Sequence, residues 1–387
     1  MIKRILNSLL FKVVIAIILG LLIGLFLPEW VNRGLETFKQ LFSEFLGFAI
    51  PLIILGLIMP AIADLGKGAG KLLLTTAALA YGSTLFSGFS TYFVVSNVFP
   101  TIIEPQNLNT LKENAVELIP YFSIGIPPVL DVMTALVLAF LIGLGLAPLE
   151  NSSLKRITVD FQKIIMMLIE KVIVPLLPLF ILSIFSAIAY KGQVASVLDV
   201  FVKIIGVIFV LHILLMLVQY VIAGLFTQKN PIKALLNMMP AYFTALGTQS
   251  SAATIPITLK QTEKNGVSAK IANFVIPLGA TIHLAGSTMK IVACAIALML
   301  MQGLGFNFGM FAGFIMMLGI AMVAAPGVPG GAIMAAIGIL QTMLGFDAEA
   351  QALMIALYIA MDSFGTAANI TGDGAIAMVV DKILKKS

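Results

Sequence analysis

The sequence predicts an all-α polytopic membrane protein with eight transmembrane helices and two re-entrant helical hairpins. Three observations carry that prediction. Hydrophobic residues make up 60% and charged residues 11% of the 387 positions, and the mean hydropathy is +1.08, too apolar for a water-soluble protein. Apolar runs long enough to cross a bilayer, which takes ~20 residues of helix, recur along the chain. Two further apolar segments are split by polar or proline- and glycine-rich tips into arms too short to cross.

In order, the first span covers residues 9–27 and ends at Pro28. Lys3-Arg4 lead into it without a small-residue cleavage site, so it reads as a retained helix rather than a signal peptide. A polar, amphipathic stretch at 32–39 precedes the second span, 45–63. Lys67 and Lys71 bracket a glycine-rich turn before the third, 72–98. Residues 100–116, with Pro105, Asn107, Asn109 and Glu113, form the most polar loop and are expected to be exposed. The fourth element, 118–149, is expected to be a helix broken at Pro127-Pro128. The fifth spans 161–190, kinked at Pro175 and Pro178, and the sixth 195–226.

Charge sets the orientation. Lys3/Arg4, Lys67/Lys71, Lys155/Arg156, Lys229/Lys233 and Lys382/Lys385/Lys386 fall at ends that alternate to one side. By the positive-inside rule both termini are cytoplasmic and the protein is a multi-pass protein of the cell membrane. The pI of about 9.2 therefore reports topology and does not point to nucleic acid. Cys294, the single cysteine, sits in an apolar run and reads as packing.

The remaining segments carry the chemistry. Residues 231–266 read as helix, polar tip (Thr248 to Thr254) and short second helix. Residues 308–344 have two apolar arms around Pro326-Gly327-Val328-Pro329-Gly330-Gly331. Such tips leave backbone groups that lipid cannot satisfy, so they must pack in protein or line a polar cavity. Between them, 274–302 is an apolar helix broken at residues 279–287, exposing carbonyls for a cation and a helix N-terminus for a carboxylate. The last span, 352–380, is expected to be one buried helix. It carries Asp362, Thr366, Asn369 and Asp373 at spacings of 4, 3 and 4, on one face. A charge at the bilayer centre costs roughly 2.5–3.5 kcal/mol on insertion scales, so these acids need positive partners. The combination implies a secondary transporter with a midplane site rather than an enzyme. An intramembrane aspartyl protease needs acids from separate helices, and neither histidine lies in a His-Glu-x-x-His zinc motif. His212 reads as a packed, hydrogen-bonded side chain.

Thr248-Gln-Ser-Ser-Ala-Ala-Thr-Ile-Pro-Ile-Thr258 resembles the first hairpin tip of the dicarboxylate/amino acid:cation symporter family. Ile276-Pro-Leu-Gly-Ala-Thr-Ile282 is similar to the approach to that family's Asn-Met-Asp-Gly-Thr break. Gly327-Val-Pro-Gly330 is similar to its second tip, and Asp362 to Asn369-Ile-Thr-Gly-Asp373 matches its last-helix spacing. The resemblance implies a homotrimer in membrane lipid working as an elevator. Residues 1–66 and 100–193 would form the scaffold, and 67–99 and 194–387 the moving transport domain.

Residue by residue, the resemblance places Asp362 on the substrate α-ammonium, with Asn369 a substrate contact and a Na⁺-ligating carbonyl. Ser250 and Ser251, with the backbone of Val328 and Gly330, would hold the α-carboxylate, beside Ser287, Gly365 and Thr366. Asp373 with the carbonyls of Gly279, His283 and Asn369 matches one Na⁺ site, and the Thr281 carbonyl with the second hairpin another; such oxygens suit a hard cation. For Ser250 and Ser251 the alternative is hydroxyls bonded to their own helix.

Three departures stand out. The family's side-chain-binding arginine is Gly365 here, which disfavours acidic substrates and opens room for a neutral, even bulky, side chain. The break reads His283-Leu284-Ala285-Gly286-Ser287, so the third Na⁺ site loses its carboxylate at Ala285. His283 and Lys290 bring bases into the site: His283 for a coupled proton, Lys290 to pair with Asp362 or Asp373 in place of a cation. The expected function is cation-coupled symport of a neutral amino acid, with Na⁺ favoured. The alternatives are a proton-coupled or exchange-type carrier using His283 or Lys290, and an acidic amino acid or dicarboxylate symporter.

Overall fold

The computed structural model describes residues 9–65, 71–103, 118–149, 152–192, 194–325 and 329–385. Among them every regular element is helical: α1 (Leu9–Phe26), α2 (Glu29–Leu65), α3 (Lys71–Ile102), α4 (Val132–Leu146), α5 (Ser153–Leu168), a π-helical turn (Ile169–Ile173), α6 (Val174–Tyr190), α7 (Val194–Thr227), α8 (Pro231–Thr248), α9 (Ser251–Lys264), α10 (Ala269–Ile282), α11 (Ala285–Met301), α12 (Phe308–Ala324), α13 (Gly331–Leu344), α14 (Ala348–Ala360) and α15 (Asp362–Lys385). Five stretches are long and apolar enough to cross a membrane: Glu29–Ala63, Lys71–Ile102, Ser153–Tyr190, Val197–Thr227 and Ala269–Met301. The pair Ala348–Ala360 and Asp362–Leu384 makes a sixth, bent by 62°. The protein is thus a multi-pass membrane protein.

Small residues bring the first helices together. A Cβ on Gly20 would lie 2.4 Å from the Leu182 carbonyl oxygen and one on Gly24 2.2 Å from that of Ser186. Only glycine permits this approach of α1 to α6, the small-residue packing of membrane helices. α2 packs against α4 and α6. α11, buried along its length, is the centre of the molecule and touches α3, α7, α14 and α15. α8 and α9 pack on each other and on α15, and α12 and α13 pack on each other and on α2.

Both segments with short arms are helical hairpins. The first turns at Gln249, held in the left-handed region at φ 53°, with arms of 18 and 14 residues, about 27 and 21 Å at ~1.5 Å per residue and short of the ~30 Å core. The second has arms of 17 and 14 residues. Its tip residues 326–328, and with them the proposed contact Val328, lie outside the described residues, as do Lys3, Arg4, Lys67, Lys386 and most of the loop at 100–116.

Three expectations need correction, and one gains detail. The amphipathic stretch at 32–39 is part of α2, one helix of 37 residues. Residues 118–131 are not half of a broken helix but an irregular strap, because Pro120, Gly125, Pro127 and Pro128 deny it a helical ladder. α2's polar face satisfies its backbone instead: Thr37 Oγ1 and a Glu44 carboxylate oxygen accept the N–H groups of Tyr121 and Ile126 (2.9 and 3.1 Å), and Arg33 Nε donates to the Ile119 carbonyl at 2.9 Å. In the fifth span the helix slips by a π-turn just before Pro175. Finally, the last span is two helices broken at Met361.

Candidate functional site

The buried polar groups gather where α10 gives way to α11 and α14 to α15. α10 ends at Ile282, His283 and Leu284 leave helical geometry, and α11 begins at Ala285. The orphaned groups at this break find partners on other helices. Asn369 Oδ1 accepts the N–H of Gly286 at 2.8 Å and of Ser287 at 3.3 Å, and Ser87 Oγ donates to the Ala285 carbonyl at 2.7 Å. Ser287 Oγ in turn accepts from Tyr358 Oη (2.9 Å) and Asn369 Nδ2 (3.1 Å). A Cβ on Gly286 would lie 2.7 Å from that of Ala368, so glycine lets the break meet α15.

At the second break Met361 accepts the N–H groups of Phe364 and Gly365, both at 3.2 Å, and the Lys290 ammonium at 3.1 Å. Asp362 opens α15, where the helix dipole favours a carboxylate. Its Oδ2 accepts the N–H of Gly330, the left-handed residue at the second hairpin tip (φ 75°), at 2.7 Å. Its Oδ1 lies 3.5 Å from Lys290 Nζ, with both side chains buried. Lys290 Nζ also sits 3.9 Å from the centre of the Tyr358 ring, a cation–π contact.

The second aspartate has a different partner. Asp373 Oδ1 lies 2.9 Å from His283 Nδ1, His283 Nε2 lies 3.0 Å from Ser83 Oγ, and Gln219 Nε2 donates to Ser83 Oγ at 3.1 Å. This chain is consistent throughout with a neutral imidazole that donates from Nδ1 and accepts at Nε2, a tautomer assigned from the network. Two glycines make the slot: a Cβ on Gly279 would lie 2.7 Å from Asp373 Oδ1, and one on Gly372 2.6 Å from His283 Cε1. Asp373 Oδ2 is buried and has no hydrogen-bond partner, an acceptor that a cation fits.

The four residues of the stripe are all buried and share one helix, α15, with Thr366 Oγ1 donating to the Asp362 carbonyl at 3.1 Å. Ser251 is buried at the start of α9, and Ser250 Oγ caps that helix by accepting from Ala253 N at 3.3 Å. Thr281 is exposed and donates to the Leu278 carbonyl of its own helix at 2.7 Å. Gly365 opens no space: a Cβ there would lie 2.3 Å from both Cε and Nζ of Lys290, which fills the volume. His212, expected to be packed and hydrogen-bonded, is buried and bonded to Tyr242 Oη at 3.0 Å. Sequence reasoning missed Ser83, Ser87, Gln219 and Tyr358; Gln219, lone in the apolar run of α7, was the signal available. A cavity of about 420 Å³ beside Glu44, Asp131, Gln341 and Gln351 contains none of these residues.

The chain is also similar to known proteins. The chain is 26% identical to the serine/threonine transporter SstT of Acinetobacter baumannii over 393 aligned residues, covering 97% of this chain and 96% of that protein. It is 29% identical over 258 residues to excitatory amino acid transporter 2 of Homo sapiens, covering 64% of this chain and 44% of that protein. Mouse excitatory amino acid transporter 3 is 34% identical over 160 residues, 41% of this chain and 30% of that protein. The model of the sodium:dicarboxylate symporter family matches residues 9–383, and the chain belongs to that family.

Proposed function

We propose that this transporter carries small neutral amino acids by cation-coupled symport, with Na⁺ as the cation. One observation carries the reading: two buried aspartates on one face of α15, Asp362 against the hairpin-tip N–H of Gly330 and Asp373 with an unpartnered oxygen. Asp362 takes the α-ammonium in a charge-assisted contact. The N-terminus of α9 with Ser250 and Ser251, and the tip with Val328 and Gly330, take the α-carboxylate. Ser287, Thr366 and Asn369 line the substrate, while Asp373 with the carbonyls of Gly279, His283 and Asn369 holds Na⁺. The Thr281 carbonyl belongs to another cation position, and Ala285 leaves the third without a carboxylate.

Lys290 changes the expected substrate size. With its ammonium filling the volume beside Gly365, a bulky side chain does not fit, and small ones such as those of serine and threonine do. The similarity to a serine/threonine transporter supports this. The same ammonium favours a second reading, in which it meets the side-chain carboxylate of an acidic amino acid. For the motion we propose an elevator in a homotrimer with cytoplasmic termini. The scaffold is residues 1–66 and 100–193, and the moving part 67–99 and 194–387. In support, α1, α2, α4 and α6 pack among themselves, and α3, α7, α14 and α15 surround α11. The irregular strap at 118–131 exposes Ile119, Phe122, Ile124 and Val129, and non-helical backbone at membrane depth calls for protein cover.

Proteoliposome uptake over an amino acid panel, with Na⁺ and H⁺ gradients imposed separately, tests this. Serine, threonine and alanine are expected to accumulate on the Na⁺ gradient. Strong aspartate or glutamate uptake establishes the second reading instead, and indifference to Na⁺ removes Asp373 as the coupling site.

A further inference from the structure

We infer that Lys290 is a tethered counter-ion of the substrate site, filling beside Asp362 in the empty carrier the place that a mobile cation would otherwise have to take. The inference rests on the proposed function and specifies how the empty carrier returns. Lys290 Nζ lies 3.5 Å from Asp362 Oδ1, donates to the Met361 carbonyl at 3.1 Å and sits 3.9 Å from the centre of the Tyr358 ring. It is wholly buried, and nothing but glycine at 365 leaves room for it.

Charge then follows from counting. Asp362 and Lys290 cancel in the empty site, and a zwitterionic amino acid adds no net charge. The Asp362 half of the site is therefore neutral both loaded and empty, so no isolated charge at Asp362 is carried through hydrocarbon in either direction; Asp373 and its Na⁺ lie outside this count. Without Lys290, the loaded form still has the substrate ammonium against Asp362 and a helix N-terminus against the substrate carboxylate. The empty form has nothing against Asp362. Lys290 thus selectively serves the return of the empty carrier, which separates net transport from exchange.

The test uses the full chain in proteoliposomes loaded with labelled serine, at equal Na⁺ and pH on both sides. Efflux into serine-free buffer requires the empty carrier to return; efflux against external serine does not. In the wild type both fluxes are expected. In Lys290→Met, which removes the charge, and Gly365→Ala, which keeps every charge but displaces the ammonium, the ratio of net efflux to exchange is expected to fall at least tenfold. Should Lys290→Met not fold, Lys290→Gln, which removes the charge but keeps a donor for the Met361 carbonyl, takes its place. An unchanged ratio in the folded variants overturns the inference and leaves the proposed function standing. A wild type that moves no amino acid at all overturns both.

Discussion

Replacing Gly365 by alanine has a sign that depends on Lys290. An alanine Cβ would stand 2.3 Å from Lys290 Cε and Nζ, where ordinary contact begins at 3.4 Å. The ammonium must retreat by about 1 Å, yet it is wedged between Asp362 at 3.5 Å, the Met361 carbonyl at 3.1 Å and the Tyr358 ring at 3.9 Å. Alanine favours a helix over glycine by at most about 1 kcal/mol. Breaking a buried ion pair costs about 3–5 kcal/mol because a charge is left uncompensated. The expected balance is a loss of about 2–4 kcal/mol, a fall in melting temperature on the order of 5 °C. Thermal unfolding of the purified protein in detergent reads it. In a Lys290→Ala background the obstacle is gone, so adding Gly365→Ala is expected to be neutral or stabilising, and the difference between backgrounds is the coupling energy. A single Gly365→Ala variant as stable as the wild type would mean the lysine head is not confined, and the reasoning fails.

Asp362→Asn keeps the shape of the second break but removes the charge facing the α-ammonium; amino acid binding by calorimetry is expected to vanish while the protein stays monodisperse, and undiminished affinity removes Asp362 from the site. Asp373→Asn is expected to abolish Na⁺ stimulation of uptake, and an unaltered Na⁺ dependence would place the coupling cation elsewhere. Asn369→Ala strands the N–H groups of Gly286 and Ser287 and should lower stability by about 1–3 kcal/mol, whereas Asn369→Asp, which keeps an acceptor, should recover part of the loss in the same melt. Ser250→Ala removes the cap of α9 and is expected to cost about 0.5–2 kcal/mol, visible as faster amide exchange in residues 251–255.

The long apolar spans, both hairpins and the break at His283 were legible because hydrophobic length and the loss of periodicity at polar or proline-rich tips are local properties. The break at Met361 was not. The run from Ala352 to Ile359 is uniformly apolar and joins the Asp362 stripe without a proline or glycine at the junction. Only Asp362-Ser363, residues suited to a helix start, hinted at it. What bends the chain there is tertiary: the lysine on the Met361 carbonyl and the hairpin N–H on Asp362. The partnership of Lys290 with Gly365 was hidden for the same reason. A glycine where the resemblance implies an arginine reads as vacancy, and nothing local to residue 365 reports that a side chain 75 positions earlier enters the space.

The two broken helices complete one another. Asn369 of α15 supplies the acceptor that α11 lacks at its start, and Lys290 of α11 adds a third donor to the Met361 carbonyl, which already accepts the N–H groups of Phe364 and Gly365. In hydrocarbon each unsatisfied backbone group costs several kcal/mol, so the start of α11 depends on having α15 in register. The glycines at 286 and 365 set that register, since a side chain at either would strike the facing helix. The carboxylate of Asp362 is consequently fixed by the same contacts that keep both helices open. A ligand that draws Asp362 or Lys290 aside acts on the second break and, through Tyr358 and Ser287, on the first, so the two breaks are coupled by contacts instead of by distance alone.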